Sequence, residues 1–129
     1  MVHEDADIAA VTEANLRFYE AFGSLDVDEM EKVWETSDRV LCIHPGWQLV
    51  TGWDNIKGSW ESIFFNAALM HFIITDTQVT VHQGSAWVSC VENITSVVDG
   101  SASNFAIRTT NVFIKGESGW LMVYHHGSG

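Results

Sequence analysis

A histidine at the end of an apolar run is the strongest candidate for acid–base chemistry in this sequence. The run Val40 to Ile43 leads into His44, and the only proline of the chain follows directly. Proline biases the preceding residue toward an extended conformation and ends a strand ladder, so His44 is expected at a strand's end, facing a cavity. Imidazole titrates near pH ~6.5 and can move a proton at neutral pH. We therefore predict a general base at His44; the alternative is a structural histidine hydrogen-bonded to backbone.

Large aromatic side chains accompany this histidine. Three of the six tryptophans fall within residues 44–60. Such side chains could wall a pocket for a flat apolar ligand, although large aromatics more often build the core. The candidates for the pocket wall are Trp47, Trp60, Phe64 and Trp87.

Charged and metal-binding groups are sparse. Arg108 is one of six basic residues. If it faces the pocket together with Thr110, it could hold a carboxylate or enolate oxygen; otherwise it pairs with an acid such as Glu92. His125 and His126 are adjacent on a strand-like run, so they point to opposite faces and cannot share one metal. Without a ligand-spaced cysteine pair or a glycine-rich phosphate loop, we predict no metal and no cofactor.

Three segments carry apolar residues at helical spacing. The first predicts a helix from Asp5 to Phe22, closed by a left-handed Gly23. Asp26 and Glu29 resemble a capping box and predict a second, shorter helix from about Val27. The third helix follows a break at residues 51–52, and its apolar face comprises Ile56, Trp60, Ile63 and Phe64.

Beyond residue 65 the period changes to two, which predicts an antiparallel sheet. Apolar residues occupy both alternating rows of its strands, so both faces need a cover, and the helices can supply only one. We predict that a second copy supplies the other, giving a homodimer in which Met122 faces outward. The four predicted strands are His71 to His82, Ala86 to Val98, Phe105 to Lys115 and Trp120 to His126.

Composition bounds the remaining possibilities. The 129 residues are 47% hydrophobic, which fits one domain spanning 1–129. A net charge of -11 disfavours nucleic acid and membrane partners. No apolar run approaches the ~20 residues that span a bilayer, and the acidic start lacks a signal peptide's positive charge. We expect a cytoplasmic protein with free thiols at Cys42 and Cys90.

The order helix, helix, short strand, helix and long sheet resembles the SnoaL-like branch of the nuclear transport factor 2-like superfamily. This resemblance implies an α+β, cone-shaped fold, with three helices packed on a strongly curved, mixed but mostly antiparallel sheet. The closing strand also resembles the association domain of calcium/calmodulin-dependent protein kinase II. The segments that carry the resemblance are residues 17–22, 26–28, His44-Pro45-Gly46-Trp47, 52–56 and 120–129.

The resemblance to ketosteroid isomerase, a member of this superfamily, implies further site residues. His44-Pro45 matches the Asp-Pro pair that holds its general base. The positions of its oxyanion hole correspond to Phe18 and Thr110, of which Phe18 cannot donate a hydrogen bond and Thr110 is only a neutral hydroxyl. Tyr19 points about 100° away on the helix and is a poor substitute. The same register implies that His125 faces the cavity while His126 meets the partner subunit.

Three functions remain open at this point. The first is a proton-transfer enzyme for a small molecule, such as an isomerase, dehydratase or cyclase, with His44 as base. The second is a non-catalytic domain that binds a small apolar or carboxylated ligand. The third is an association module whose purpose is the contact between sheets. A superfamily with so many activities does not choose among them.

Overall fold

Three helices and six strands make up the fold of the computed structural model, which describes residues 2–128 and the side chains of residues 5–128. Met1 and Gly129, the ends of the predicted domain, lie outside the described residues. The helices are α1 (Val2–Ser24), α2 (Val27–Val33) and α3 (Trp53–Asn66). The strands are β1 (Leu41–Ile43), β2 (Val50–Thr51), β3 (Ala67–His82), β4 (Ser85–Val98), β5 (Ser101–Gly116) and β6 (Gly119–Ser128).

The strands form one mixed sheet in the order β2-β1-β6-β5-β4-β3. Only the β1–β6 pair is parallel among these neighbours, and the other pairs are antiparallel. Bulges interrupt the β3–β4 and β5–β6 ladders, and such irregularities bend and twist a sheet. The predicted α+β architecture is confirmed: three helices pack on a curved, mostly antiparallel sheet. Among the described helices, none is both long and apolar enough to cross a membrane.

The end of α1 differs from the prediction. Gly23 lies inside the helix, and the residue with positive φ is Leu25, at 58°. A Cβ on Gly23 would lie 3.1 Å from the backbone oxygen of Met70. The glycine therefore allows α1 to approach β3 closely and does not cap the helix. Asp26 caps α2 as predicted, its carboxylate accepting from the backbone N–H of Asp28.

The core lies between the helices and the inner face of the sheet. Even-numbered residues of β4 and odd-numbered residues of β5 point inward. The prediction that Met122 faces outward is wrong, since this side chain is fully buried. Val112 and Phe113 pair with Tyr124 and Met122, so Val123 is the extra residue of a bulge. The bulge shifts the alternation of β6 and places Met122 and His125 on the same inner face.

Candidate functional site

A small cavity opens between α1, α3 and the inner face of the sheet, next to the end of β1. Its volume is about 150 Å³. Most of its walls are apolar, but His44, Glu92 and His125 also line it, and all three are at most 2% exposed. The other lining residues are Phe22, Pro45, Trp47, Ile63, Met70, Ile94, Phe105 and Ile107.

A tight turn after β1 positions His44. The backbone N–H of Trp47 donates to the carbonyl of His44 at 2.9 Å, and Gly46 has a φ of 80°. Pro45 restricts His44 to extended geometry, so the imidazole leaves the strand end on the inner side. Trp47 packs edge-on against this ring with centroids 4.8 Å apart and remains half-exposed at the rim of the cavity.

The hydrogen bonds of His44 assign its tautomer. Its Nε2 lies 2.8 Å from Ser59 Oγ, and the Ser59 hydroxyl donates its proton to the carbonyl of Ile56 at 2.6 Å. Ser59 Oγ must therefore accept from His44 Nε2–H. The Nδ1 lone pair is left with only the Cys42 sulfur, a weak donor that lies 3.9 Å from Nδ1 and closer to Nε2, at 3.6 Å. Burial lowers the pKa of His44 to about 4, so the imidazole is neutral at pH 7.

His125 belongs to a buried polar network between α1, β5 and β6. The side-chain amide of Asn111 donates to Asn15 Oδ1 at 2.9 Å and to the hydroxyl of Tyr19 at 3.1 Å. Its carbonyl oxygen, 2.6 Å from His125 Nδ1, must accept from that nitrogen. The unprotonated nitrogen of His125 is therefore Nε2. Burial, followed by the neighbouring His44, lowers the pKa of His125 to about 3.

Tyr19 and Glu92 complete the network, in a pairing that the sequence did not predict. The Tyr19 hydroxyl donates to Glu92 Oε2 at 2.5 Å. Burial raises the pKa of Glu92 to about 7 despite this hydrogen bond, and burial followed by Glu92 raises the pKa of Tyr19. A signal was available: Glu92 interrupts the apolar row that contains Cys90 and Ile94, and a carboxyl in such a row must be buried.

Three residues predicted for the site, Trp60 and Phe64 as wall and Phe18 as an oxyanion-hole position, do not line the cavity and support it from behind. Trp60 packs on His44 with centroids 4.6 Å apart, and Phe18 packs on His125 at 4.9 Å. Phe64 in turn contacts Trp60. All three are core residues that hold the imidazoles in place. Phe18 is thus apolar support in α1, while the hydroxyl of the neighbouring Tyr19 donates to Glu92.

Trp87, Arg108 and Thr110 lie on the opposite side of the sheet. The expectation that Arg108 and Thr110 face the cavity is wrong, because the inward residues of β5 are odd-numbered. Arg108 forms an exposed ion pair with Asp76 at 2.9 Å, and it does not pair with Glu92, which points inward. Trp87 is 44% exposed on the outer face, so it cannot border the cavity. His126 also faces outward, with Nδ1 3.2 Å from the Tyr124 hydroxyl.

The donor set of the cavity suits protons better than metals. Within the described part of the chain, no group of three or more His, Cys, Asp or Glu side chains is placed to hold a metal ion. Two imidazoles and one carboxyl line the cavity, and one nitrogen of each imidazole donates a hydrogen bond to a neighbouring side chain. What remains is two lone pairs and one carboxyl that titrates near neutral pH. Such a set can accept and donate protons on a bound molecule.

The SnoaL-like domain model matches residues 11–129, so the chain belongs to this family. A candidate dehydratase of the NTF2-like family from Streptomyces avermitilis is 31% identical, with a TM-score of 0.89 over 97% of both chains. A candidate calcium/calmodulin-dependent protein kinase type II association domain from Thiobacillus denitrificans is 30% identical, with a TM-score of 0.79 over 89% of this chain and 90% of that one. The two resemblances inferred from the sequence are thereby confirmed.

A curated relative matches over a similar range. F-box protein SKIP8 of Arabidopsis thaliana is 29% identical over 123 residues, which are 95% of this chain and 51% of that protein. The chain therefore spans about half the length of this relative.

Proposed function

We propose that this protein binds a small, largely apolar molecule in the cavity and transfers a proton on it, as an isomerase, dehydratase or cyclase does, with His44 as the base. The observation that carries the proposal is the group of three buried titratable side chains around one apolar cavity of about 150 Å³. Burial of ionisable groups is unfavourable, and proteins concentrate such groups where chemistry needs them.

The hydrogen bonds suggest a division of roles. His44 is neutral and has its Nδ1 lone pair available, so it can take a proton from carbon. Glu92 accepts from Tyr19 through Oε2, so its own proton resides on Oε1 in the neutral form. With a pKa of about 7, it is substantially protonated at neutral pH and can donate to an oxygen that gains charge. Glu92 thus fills the role for which Phe18 and Thr110 were unsuitable.

Elimination of water is the reaction that we favour, since a relative at 31% identity is a candidate dehydratase. His44 removes a proton from the carbon next to a carbonyl, and the carbon–carbon double bond forms as the β-hydroxyl leaves. Glu92 gives its proton to the leaving hydroxyl, which departs as water. The proton on His44 then restores Glu92 through solvent, so the net products are an enone and water.

Proton abstraction can be tested without the natural substrate. 3-Hydroxycyclohexanone is of a size that the cavity admits, and NMR in D₂O follows deuterium exchange beside its carbonyl while ultraviolet absorbance follows the enone. We expect the protein to accelerate both. His44→Ala should lower both rates by about 10²- to 10⁴-fold, the usual contribution of a positioned base.

Glu92→Gln separates the two steps. The amide can still donate a hydrogen bond to the developing enolate, but it cannot give a proton to a leaving group. Enone formation should therefore fall much more than deuterium exchange. A protein that binds the ketone yet exchanges no deuterium in the unmodified form would instead be a non-catalytic binding domain, the second function left open by the sequence.

A homodimer through the outer face of the sheet is also proposed. Trp87, Val112 and Tyr124 are cross-strand neighbours on that face. Ile73, opposite Asn93 and farther along the same face, is 58% exposed. This apolar row has no cover within the described chain. A second copy of the sheet would bury it, and a stable dimer needs roughly 800 Å² per partner. The similarity to a candidate association domain supports this proposal.

The cytoplasm is the location that we propose. Cys42 and Cys90 are buried free thiols, which suit a reducing compartment.

A further inference from the structure

We infer that the cavity selects a neutral molecule carrying a hydroxyl group and rejects carboxylates. This inference names the ligand class of the site in Proposed function and rests on that cavity being the binding site. It does not depend on whether a proton is transferred.

The argument begins with what each imidazole offers. The only N–H of neutral His44 donates to Ser59, and the only N–H of neutral His125 donates to Asn111. Among the described residues, no group donates a hydrogen bond to His125 Nε2, and His44 Nδ1 has only the distant Cys42 thiol. Both free nitrogens are therefore hydrogen-bond acceptors. A ligand that satisfies them must bring donors, and hydroxyl groups are the simplest donors on a small neutral molecule.

The charges around the cavity disfavour carboxylate ligands. The side chains that line the cavity, all within the described residues, include no lysine or arginine. Arg108, which could have held a carboxylate, is paired with Asp76 on the outer face. A bound carboxylate would meet two imidazole lone pairs, with only the Glu92 proton as a donor and no cation to offset its desolvation. The net charge of -11 adds to this repulsion at longer range.

Size limits the ligand further. A cavity of about 150 Å³ holds a single six-membered ring, as apolar cavities of that size in other proteins do. The surrounding wall is formed by Phe22, Ile63, Ile94 and Ile107, which suit a flat or cyclic carbon skeleton. The ligand class is therefore a cyclic alcohol or phenol of about one ring.

Phenol, anisole and benzoate provide a matched test, because they share one ring and differ in donor and charge. Dissociation constants are measured at pH 6.5 from the fluorescence of the intact protein, in which Trp47 lines the cavity and Trp60 packs behind it on His44. We expect phenol to bind about tenfold more tightly than anisole, since phenol can donate to one of the two acceptors and anisole to neither. Benzoate should bind at least about tenfold more weakly than phenol.

A second measurement observes the imidazole nitrogens directly. Long-range proton–nitrogen NMR of the imidazoles reports which ring nitrogens carry protons. We expect His44 Nδ1 and His125 Nε2 to be unprotonated in the free protein, and at least one of them to shift on addition of phenol. Nitrogens that stay unshifted at saturating phenol, benzoate binding as tight as that of phenol, or no binding of phenol would each overturn the inference.

The outcomes distinguish this inference from the proposed function. Phenol selectivity without deuterium exchange of 3-hydroxycyclohexanone would uphold the ligand class and refute proton transfer. Turnover of a carboxylate substrate that depends on His44 would refute the ligand class and uphold proton transfer.

Discussion

Glu92 is the residue whose surroundings and chemistry conflict most strongly. It lies on the inner row of β4 between Cys90 and Ile94, only 1% exposed, with the Tyr19 hydroxyl as its hydrogen-bond donor at 2.5 Å. That bond favours the carboxylate, but desolvation outweighs it, so the pKa rises to about 7. The neutral carboxyl is therefore the state in which the protein is most stable.

The sign of the pH dependence follows from this shift. Between pH 4.5 and about 7 the folded protein holds a proton on Glu92 that the unfolded chain has lost, so the free energy of unfolding falls as the pH rises. We expect this contribution to approach 3 kcal/mol, from about 1.4 kcal/mol per pH unit. Glu92→Gln should remove it, and chemical denaturation at pH 4.5, 6 and 8 measures the difference from the unmodified protein.

Glu35→Gln is the matched control at the residue scale. Arg39 and Ser37 hold the pKa of Glu35 at about 2, so its stabilising contribution is present above pH 4.5 and is lost as the pH falls toward 2. Glu35→Gln should therefore leave the pH dependence between pH 4.5 and 8 nearly unchanged, whereas Glu92→Gln should remove a fall in stability over that range. A pH-independent difference for Glu92→Gln would show that Glu92 titrates normally in the folded protein. His44 and His125 titrate in both proteins and cancel from the comparison.

Asn111 joins three elements through one side chain. It lies on β5, contacts Asn15 and Tyr19 of α1, and accepts from His125 of β6. Because Asn111 is fully buried, its loss would leave its polar partners with neither a hydrogen bond nor access to water. The same side chain sets the tautomer of His125, so the packing of α1 and the protonation of this cavity residue depend on one side chain.

Asn111→Ala should therefore destabilise the fold by about 3 kcal/mol, since each unpaired buried group costs about 1–3 kcal/mol. Asn104→Ala on the same strand is the control, because Asn104 is exposed and accepts one hydrogen bond from Thr95. It should change stability by less than about 1 kcal/mol. Thermal unfolding measures both, and equal losses would show that the buried network adds nothing.

The turn that holds His44 depends on a glycine of β6. A Cβ on Gly127 would lie 3.1 Å from Ile107 Cδ1 and 3.2 Å from Pro45 Cγ. Gly127→Ala should push Pro45, and with it His44, away from the cavity, at a cost of about 1–3 kcal/mol. We expect phenol binding to weaken and the free energy of unfolding to fall.

Gly58→Ala provides the opposite expectation. Gly58 lies inside α3, where a Cβ would meet no atom within 4 Å. Alanine should therefore stabilise the helix by about 0.5–1 kcal/mol and leave phenol binding unchanged. If both variants behaved alike, the contact between Gly127 and Pro45 would not matter to the site.

At the scale of the whole molecule, the outer face of the sheet predicts assembly. Trp87→Lys places a charge in the apolar row formed with Val112 and Tyr124, so it should dissociate the proposed dimer. Light scattering at micromolar concentration should then fall from twice the mass of the chain to 14.4 kDa. Met122→Lys is unsuitable, because it would place the charge in the core.

Phe65→Lys is the control for this experiment. Phe65 is 89% exposed near the end of α3 and lies away from the outer row of the sheet. Its substitution should leave the mass unchanged. A monomer in the unmodified protein would refute the dimer outright, and loss of the dimer in both variants would place the contact elsewhere.

Local patterns in the sequence determined the helices, the long strands and the position of His44. Helical spacing and strand alternation depend on residues close in the chain, so α1, α2, α3 and the meander β3 to β6 could be predicted. Pro45 places His44 at the end of β1 for an equally local reason. The starts of two strands differ from the prediction: β3 and β5 each begin four residues earlier.

The tertiary structure decided which side chains share the cavity. Arg108 and Thr110 face outward because the pairing of β5 with its neighbours sets the inward parity, and Met122 turns inward because of one bulge in β6. Tyr19 meets two residues that are distant in the sequence. Glu92 is 73 residues away and Asn111 is 92 residues away. Strand register and bulges arise from contacts between distant segments, and a slip of one residue exchanges the two faces of a strand.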